Sequence, residues 1–299
     1  MAVATAPDLA PRRSLLRTPA ILDFARSQPI AALSLLFIVV LVFASAFADI
    51  VAPYDPLALD FENLLTGPTA AHWFGTDNFG RDIFSRVLYG GRTALVIGVM
   101  SSFIGSIAGG VIGVVSGYFS GRFDFIVQRF IDILLSFPII VLAVVVVAML
   151  GKFIVFGVDV NLVVAIAIPI IPKVARVVRS SALSVREMPY IDAARAAGYS
   201  HVRIIFRHMV PNVFAPFIIM FAAFVAQAIL LEASLSFLGL GVTEPTPAWG
   251  LMLSGNAADF YKEAPWMILF PGIAISVTVF AFNLFGDGLR DYLDPKFKL

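Results

Sequence analysis

Hydrophobic and polar positions in this chain segregate into long blocks rather than alternating every second or fourth residue. Five blocks carry no charged side chain: Ile30–Ala48, Thr93–Tyr118, Ile133–Leu150, Val213–Leu231 and Trp266–Gly286. A helix rises about 1.5 Å per residue, so about 20 such residues cross a hydrocarbon layer ~30 Å thick. A sixth block, Val160–Val178, carries Lys173 and Arg176 towards its end, where long basic stems can snorkel to an interface. The pattern therefore predicts an all-α integral membrane protein with six transmembrane helices, at about 30–48, 93–118, 130–150, 160–178, 213–231 and 266–286. Between them it predicts a tail at 1–29, external loops at 49–92 and 232–265, a short inner connection at 119–132 and a long inner loop at 179–212. These pieces are too short to fold separately, so residues 30–299 form a single transmembrane domain.

Basic residues orient the bundle, because Lys and Arg accumulate on the cytoplasmic side. With the N-terminus inside, sixteen fall on that side: Arg12, Arg13, Arg17, Arg26, Arg122, Arg129, Lys173, Arg176, Arg179, Arg186, Arg195, Arg203, Arg207, Arg290, Lys296 and Lys298. Five fall outside: Arg81, Arg86, Arg92, Lys152 and Lys262. Both termini are expected in the cytoplasm. The first block ends Ala46-Phe47-Ala48, which resembles a signal-peptidase site, but its apolar run is long for a signal peptide and an uncleaved anchor is expected.

Composition agrees with lipid as the solvent. The chain is 60% hydrophobic and 14% charged, against about 25% charged in soluble domains, and its mean hydropathy is +0.92. A net charge of +1, from 21 Lys+Arg and 20 Asp+Glu, gives no support for a nucleic-acid partner. Absence of cysteine removes disulfides and thiolate chemistry. The three histidines, at 72, 201 and 208, are scattered, so neither a metal nor any other cofactor is expected. No segment fits G-x-x-x-x-G-K-[ST], since Gly151-Lys152 runs into Phe153, and neither H-E-x-x-H nor G-x-S-x-G occurs. The chain is not expected to be an enzyme or to bind nucleotide.

Within the second block, Gly105, Gly109, Gly113 and Gly117 recur every four residues, which places them on one helix face where a second backbone can approach closely. Static packing explains that stripe, and a sliding surface is the functional alternative. Pro138, Pro169, Pro172, Pro216 and Pro271 can each break or bend a span.

The inner loop is polar and basic yet patterned as helix. Ser184-Val185-Arg186-Glu187 fits a capping box, and Pro189 suits a first helical turn. Ala193, Ala194, Ala196 and Ala197 give a smooth helical surface, and Gly198 supplies a C-cap. Ser200 is placed to cap a second helix ending before Pro211. A compact helix-turn-helix is expected.

Here the chain resembles a known family. Asp192-Ala193-Ala194, then Gly198 and Pro211, is similar to the EAA loop of ATP-binding-cassette (ABC) importer permeases, with Asp192 where the general motif has Glu and His208 where it often has isoleucine. Before the second block, His72-Trp73-Phe74-Gly75-Thr76-Asp77-Asn78-Phe79-Gly80-Arg81-Asp82 resembles dipeptide, oligopeptide and nickel permeases, as does Glu232–Gly241 with Trp249-Gly250 after the fifth. The likeness, strongest to the "C"-type permease, implies the type I importer architecture and a place in the bacterial inner membrane. It also implies a sister permease as heterodimer partner, two cytoplasmic ATPase subunits, an extracytoplasmic substrate-binding protein and a peptide-like cargo. On this resemblance Glu187, Tyr190, Asp192, Ala193, Ala194, Ala197 and Gly198 contact the ATPase, and the external loops receive the binding protein, with Asp77, Arg81 and Asp82 as candidates, though a local network within the loop is the leading reading of Arg81 and Asp82.

Gln227, Glu232 and Asn283 are candidates for lining the pathway, with interhelical hydrogen bonding or an internal ion pair as the alternative. Arg129 and Asp132, three residues apart, are expected to pair. Lys173, Arg176 and Arg179 read as a basic stripe against lipid headgroups. A rival class, an ion- or proton-coupled secondary transporter, would need acidic groups in mid-membrane, and the apolar blocks are nearly free of them.

Overall fold

Helix length in this protein follows the apolar blocks but overshoots them, because packing carries several helices beyond the point where lipid contact ends. The computed structural model describes residues 20–293. Arg12, Arg13 and Arg17 of the expected tail, and Lys296 and Lys298, lie outside the described residues. Helix α1 (Ala20–Ser27) leads through Gln28 into α2 (Pro29–Ala46), where proline stands at the first helical position, and a single turn, α3 (Ala48–Val51), follows. Helix α4 (Ile83–Phe119) starts ten residues before the expected span, because Asp82 caps it, accepting from the Ser85 backbone N–H at 2.8 Å and its hydroxyl at 2.7 Å.

The expected third span is broken. Helices α5 (Gly121–Leu135) and α6 (Ile139–Leu150) meet at Pro138 and are bent by 93°. At 12 residues, α6 alone is about 18 Å long, too short for a straight crossing. The other interior prolines do not break their helices: Pro169 and Pro172 lie inside α7 (Val160–Arg186), Pro216 inside α10 (Val210–Phe237) and Pro271 inside α13 (Trp266–Leu293). Among the described residues, five helices are long and apolar enough to cross a membrane, and counting the bent pair as one span gives six.

Between α6 and α7 stands a two-stranded antiparallel hairpin, β1 (Ile154–Val155) with β2 (Val158–Asp159), which no hydrophobic pattern announced. Its turn places Phe156 and Gly157 at positive φ, and Asp159 then caps α7. At the same end lie the short helices α11 (Trp249–Met252) and α12 (Asn256–Asp259).

The centre of the bundle is the parallel contact of α4 with α7. A Cβ on Gly105 would lie 2.8 Å from the Ala167 carbonyl, on Gly109 2.6 Å from that of Ile171, and on Gly113 2.7 Å from that of Ala175. On Gly117 it would meet the Cβ of Ala182 at 2.8 Å. The glycine stripe is therefore a packing surface, and the match continues turn by turn to the end of α4. Helix α10 runs antiparallel to both, with Ser102 donating to the Phe221 carbonyl at 2.9 Å. On the far side of α10 pack α13 and α2, where Gly288 meets Ala31 and Phe24 meets Phe285 and Tyr292 edge to face. The first and last described residues thus lie at one end of the bundle, together with the loop after α7.

Candidate functional site: an exposed elbow and the polar groups along the bundle

The 179–212 segment folds differently at both edges from the expected helix-turn-helix. Helix α7 does not stop at residue 178 but runs to Arg186, since Val178 and Ala182 are still buried against α4. Ser184 consequently lies inside a helix, donating to the Ser180 carbonyl at 3.3 Å, and forms no capping box. Helix α8 (Pro189–Ala196) starts at Met188, and its turn closes at Gly198 with φ +75°, a conformation glycine adopts without strain. Ser200 caps α9 (His201–Ile204), accepting from the Arg203 N–H at 3.4 Å. The second helix does not end before Pro211. It passes through a π turn, Ile205–Met209, straight into α10, so α9 and the fifth span are one helical rod. In this stretch, where Pro211 lacks a backbone donor, Asn212 donates from its side chain to the His208 carbonyl at 2.6 Å.

The alanine surface is divided between two directions. Ile191 and Ala194 are buried in the core with Ile204 and Met209, whereas Glu187, Tyr190, Asp192, Ala193, Ala197 and Gly198 are exposed. Ala194 therefore seats α8 on its own chain, and the other six form a surface open to a partner. Asp192 accepts from Arg195 at 3.0 Å, and Arg195 lies over the Tyr118 ring at 5.6 Å. The Tyr118 hydroxyl is 2.7 Å from His201 Nδ1, tying the elbow to the last turn of α4.

Along α7, two of the three residues read as a headgroup-binding stripe have carboxylate partners. Arg176 pairs with Asp132, and Arg179 grips Asp124, which also accepts from Ser116 on α4. Asp132 also lies 3.7 Å from Arg129, as the sequence spacing predicted. These pairs clamp the bent α5 to α7. Lys173 lies in the middle of α7, with Gln227 Oε1 3.4 Å from its Nζ.

The candidate pathway residues do not converge. Gln227 is half-buried and faces Lys173, Asn283 is exposed on α13, and Glu232 is fully buried. Glu232 accepts from the Ser236 hydroxyl at 2.7 Å, which in turn accepts from the Val242 N–H at 3.1 Å. Its carboxylate thus fixes the chain where it leaves α10, and lines no opening.

At the opposite end, Asp77, Arg81 and Asp82 are turned inward and buried. Arg81 Nε meets Asp77 at 2.6 Å and its Nη1 meets Glu244 at 3.0 Å, while Arg86 donates to the Pro56 carbonyl at 3.2 Å. Asp82 bonds His72 at 2.9 Å besides capping α4. Trp249 and Trp266 complete the network, donating to the carbonyls of Val87 and Thr76 at 2.8 Å and 3.0 Å. The three candidates thus hold the loop together, and the side chains this end presents outward are others, such as Trp73 and Phe79. At the same end a cavity of about 390 Å³ opens between the hairpin and the loop after α10, bordered by Arg92, Lys152 and Thr243.

Comparison with known proteins places this geometry. The family described as "Binding-protein-dependent transport system inner membrane component" matches residues 109–299. The "Glutathione transport system permease protein GsiD" of Escherichia coli O6:K15:H31 (strain 536 / UPEC) is 45% identical over 274 residues, covering 91% of this chain and 88% of its own. The protein of the same name from Shigella flexneri serotype 5b (strain 8401) is 47% identical over the same shares. Among solved structures, the MetNI methionine ABC transporter in an inward-facing conformation is 17% identical, with a TM-score of 0.55 over 71% of this chain and 98% of that one, a likeness of fold. The family excludes the secondary-transporter alternative and assigns ATP hydrolysis to another component of the assembly. This chain belongs to the inner membrane components of binding-protein-dependent transport systems, as the multi-pass permease subunit of an ABC importer working with an ATPase and a binding protein.

Proposed function

We propose that this chain forms half of the translocation pathway for peptides or similar small solutes, beside a sister permease, and that α8 is where two cytoplasmic ATPase subunits act on the pair. The single observation that carries the reading is the two-sided α8: Ile191 and Ala194 seated in the core, with Glu187, Tyr190, Asp192, Ala193, Ala197 and Gly198 turned outward. A push on the outward side reaches the continuous helix His201–Phe237 through the core that α8 shares with Ile204 and Met209, and reaches α4 through Arg195 over the Tyr118 ring. The excess of basic residues at this end supports a cytoplasmic orientation for it and for both termini. The near full-length likeness to permeases named for glutathione transport supports a peptide-like cargo, and the binding protein docks on the opposite, hairpin-bearing end.

Because the chain has no cysteine, Ala197→Cys provides a unique thiol. In the intact importer it is expected to cross-link to an ATPase subunit, and Ala193→Asp or Gly198→Asp is expected to uncouple ATP hydrolysis from uptake while the chain still inserts. Wild-type uptake and coupling in both aspartate variants, with no cross-link, would remove α8 from this role.

A further inference from the structure

Lys173, Arg176 and Arg179 leave α7 at three-residue intervals, and two of them meet acidic partners on α5. Lys173 does not. Among the described residues no carboxylate oxygen comes within 4.0 Å of its Nζ, and its neighbours are neutral: Gln227 Oε1 at 3.4 Å and the Phe224 ring at 6.0 Å. Its depth matters as much as its isolation. Lys173 stands thirteen residues from the start of α7, and Gln227 ten residues before the end of α10, at the same end of the bundle. At about 1.5 Å per residue both lie roughly 15–20 Å along their helices from that end.

The surroundings are not those of a lipid-facing surface. From Lys173 towards the α8 end, Arg176, Ser180 and Ser184 form an exposed polar stripe on α7. On α10, Gln227, Ala223 and Met220 remain half-open beside it. An ammonium set between the exposed polar stripe of α7 and the Gln227 amide is placed to meet water or a passing solute.

We propose that Lys173, oriented by Gln227, receives the carboxylate of the cargo midway along the pathway. The permease, and not only the binding protein, then favours carboxylate-bearing solutes. This rests on the reading that the chain forms half of the pathway. Gln227 holds the ammonium in place without neutralising it, which leaves its charge available to an anion.

The test uses the complete importer in proteoliposomes with its binding protein, and compares uptake of trialanine with that of trialanine C-terminal amide. Any preference of the binding protein is common to all variants and cancels in the ratio of ratios. Lys173→Gln is expected to lower the acid-to-amide uptake ratio about ten-fold, while Lys173→Arg keeps it within about two-fold. ATP hydrolysis stimulated by loaded binding protein reports that both variants assemble. Equal losses for acid and amide, as when Lys173 pairs with a carboxylate of the sister subunit, overturn the assignment, and so does an unchanged ratio. No ATP-driven uptake of either peptide by the wild-type assembly overturns the pathway reading and this inference with it.

Discussion

The hydroxyl of Tyr118, at the last turn of α4, lies 2.7 Å from Nδ1 of His201, at the first turn of α9. Tyr118 is buried, so this bond joins the elbow to the helix whose glycines receive α7. The rod that begins at His201 is therefore tied to α4 at its first turn.

Tyr118→Phe removes the bond while keeping the ring under Arg195. The expected stability loss is about 1 kcal/mol. Solute taken up per ATP is expected to fall several-fold with hydrolysis retained, measured in proteoliposomes with the partner subunits. Wild-type coupling in this variant would show that the motion does not pass through α4.

The α4–α7 contact predicts opposite signs for chemically identical substitutions. Alanine in place of a mid-helix glycine gains about 1 kcal/mol in propensity, whereas overpacking costs about 1–3 kcal/mol. At Gly109 the new Cβ would stand 2.6 Å from the Ile171 carbonyl and 2.8 Å from the Val174 Cβ, so Gly109→Ala is expected to lower the thermal midpoint in detergent. At Gly272 the new Cβ would meet, among the described residues beyond its own helical turn, nothing within 4 Å, and Gly272→Ala is expected to raise it. Equal behaviour of the two variants would contradict the packing.

Asp77 is the acidic member of a buried cluster with Arg81 and Arg86. Removing one partner of a buried pair costs about 3–5 kcal/mol, and Asp77→Asn is expected to show that order of loss, read as a lower melting point and reduced membrane content. Glu244, half-exposed on the rim of the cluster, is expected to tolerate glutamine at a cost near ~1 kcal/mol or less. A mild Asp77→Asn alongside a severe Glu244→Gln would reverse the assignment.

Asp49, on the loop after α2, is held below the ordinary carboxylate value of 3.8 by the Arg92 guanidinium at 2.8 Å and by the Tyr89 hydroxyl. The sign follows from linkage. A depressed folded value contributes stability that is fully present above 3.8 and is lost as pH falls through the folded value. Being solvent-exposed, the effect is expected to be small and weakened by salt. Thermal scans of wild type and Asp49→Asn between neutral and strongly acidic pH should converge at the acidic end. Curves that diverge there would exclude this tie.

Much of this was legible in one dimension. The spans show because leaving water is a property of a segment's own composition, and Gly198 and Ser200 show because a positive φ and a helix cap are local demands met by particular side chains. The glycine stripe gave its face in advance, since a four-residue repeat fixes which side of a helix it occupies. Ser184 misled for a related reason: it carries a capping pattern, but burial of Val178 and Ala182 against α4 keeps α7 helical past it.

The charges were the part that sequence alone could not arrange. Composition determined that this chain crosses a membrane several times, presents a helical elbow at one end and carries no chemistry of its own for ATP. Tertiary structure decided that Asp77 and Asp82 turn inward, that Arg176 and Arg179 find Asp132 and Asp124 far away in the chain, and that Lys173, among the described residues, meets a neutral amide and no carboxylate. The physical reason is range. Hydrophobicity and capping act within a few residues of their origin, whereas a buried charge is satisfied by whichever group the packed helices bring beside it.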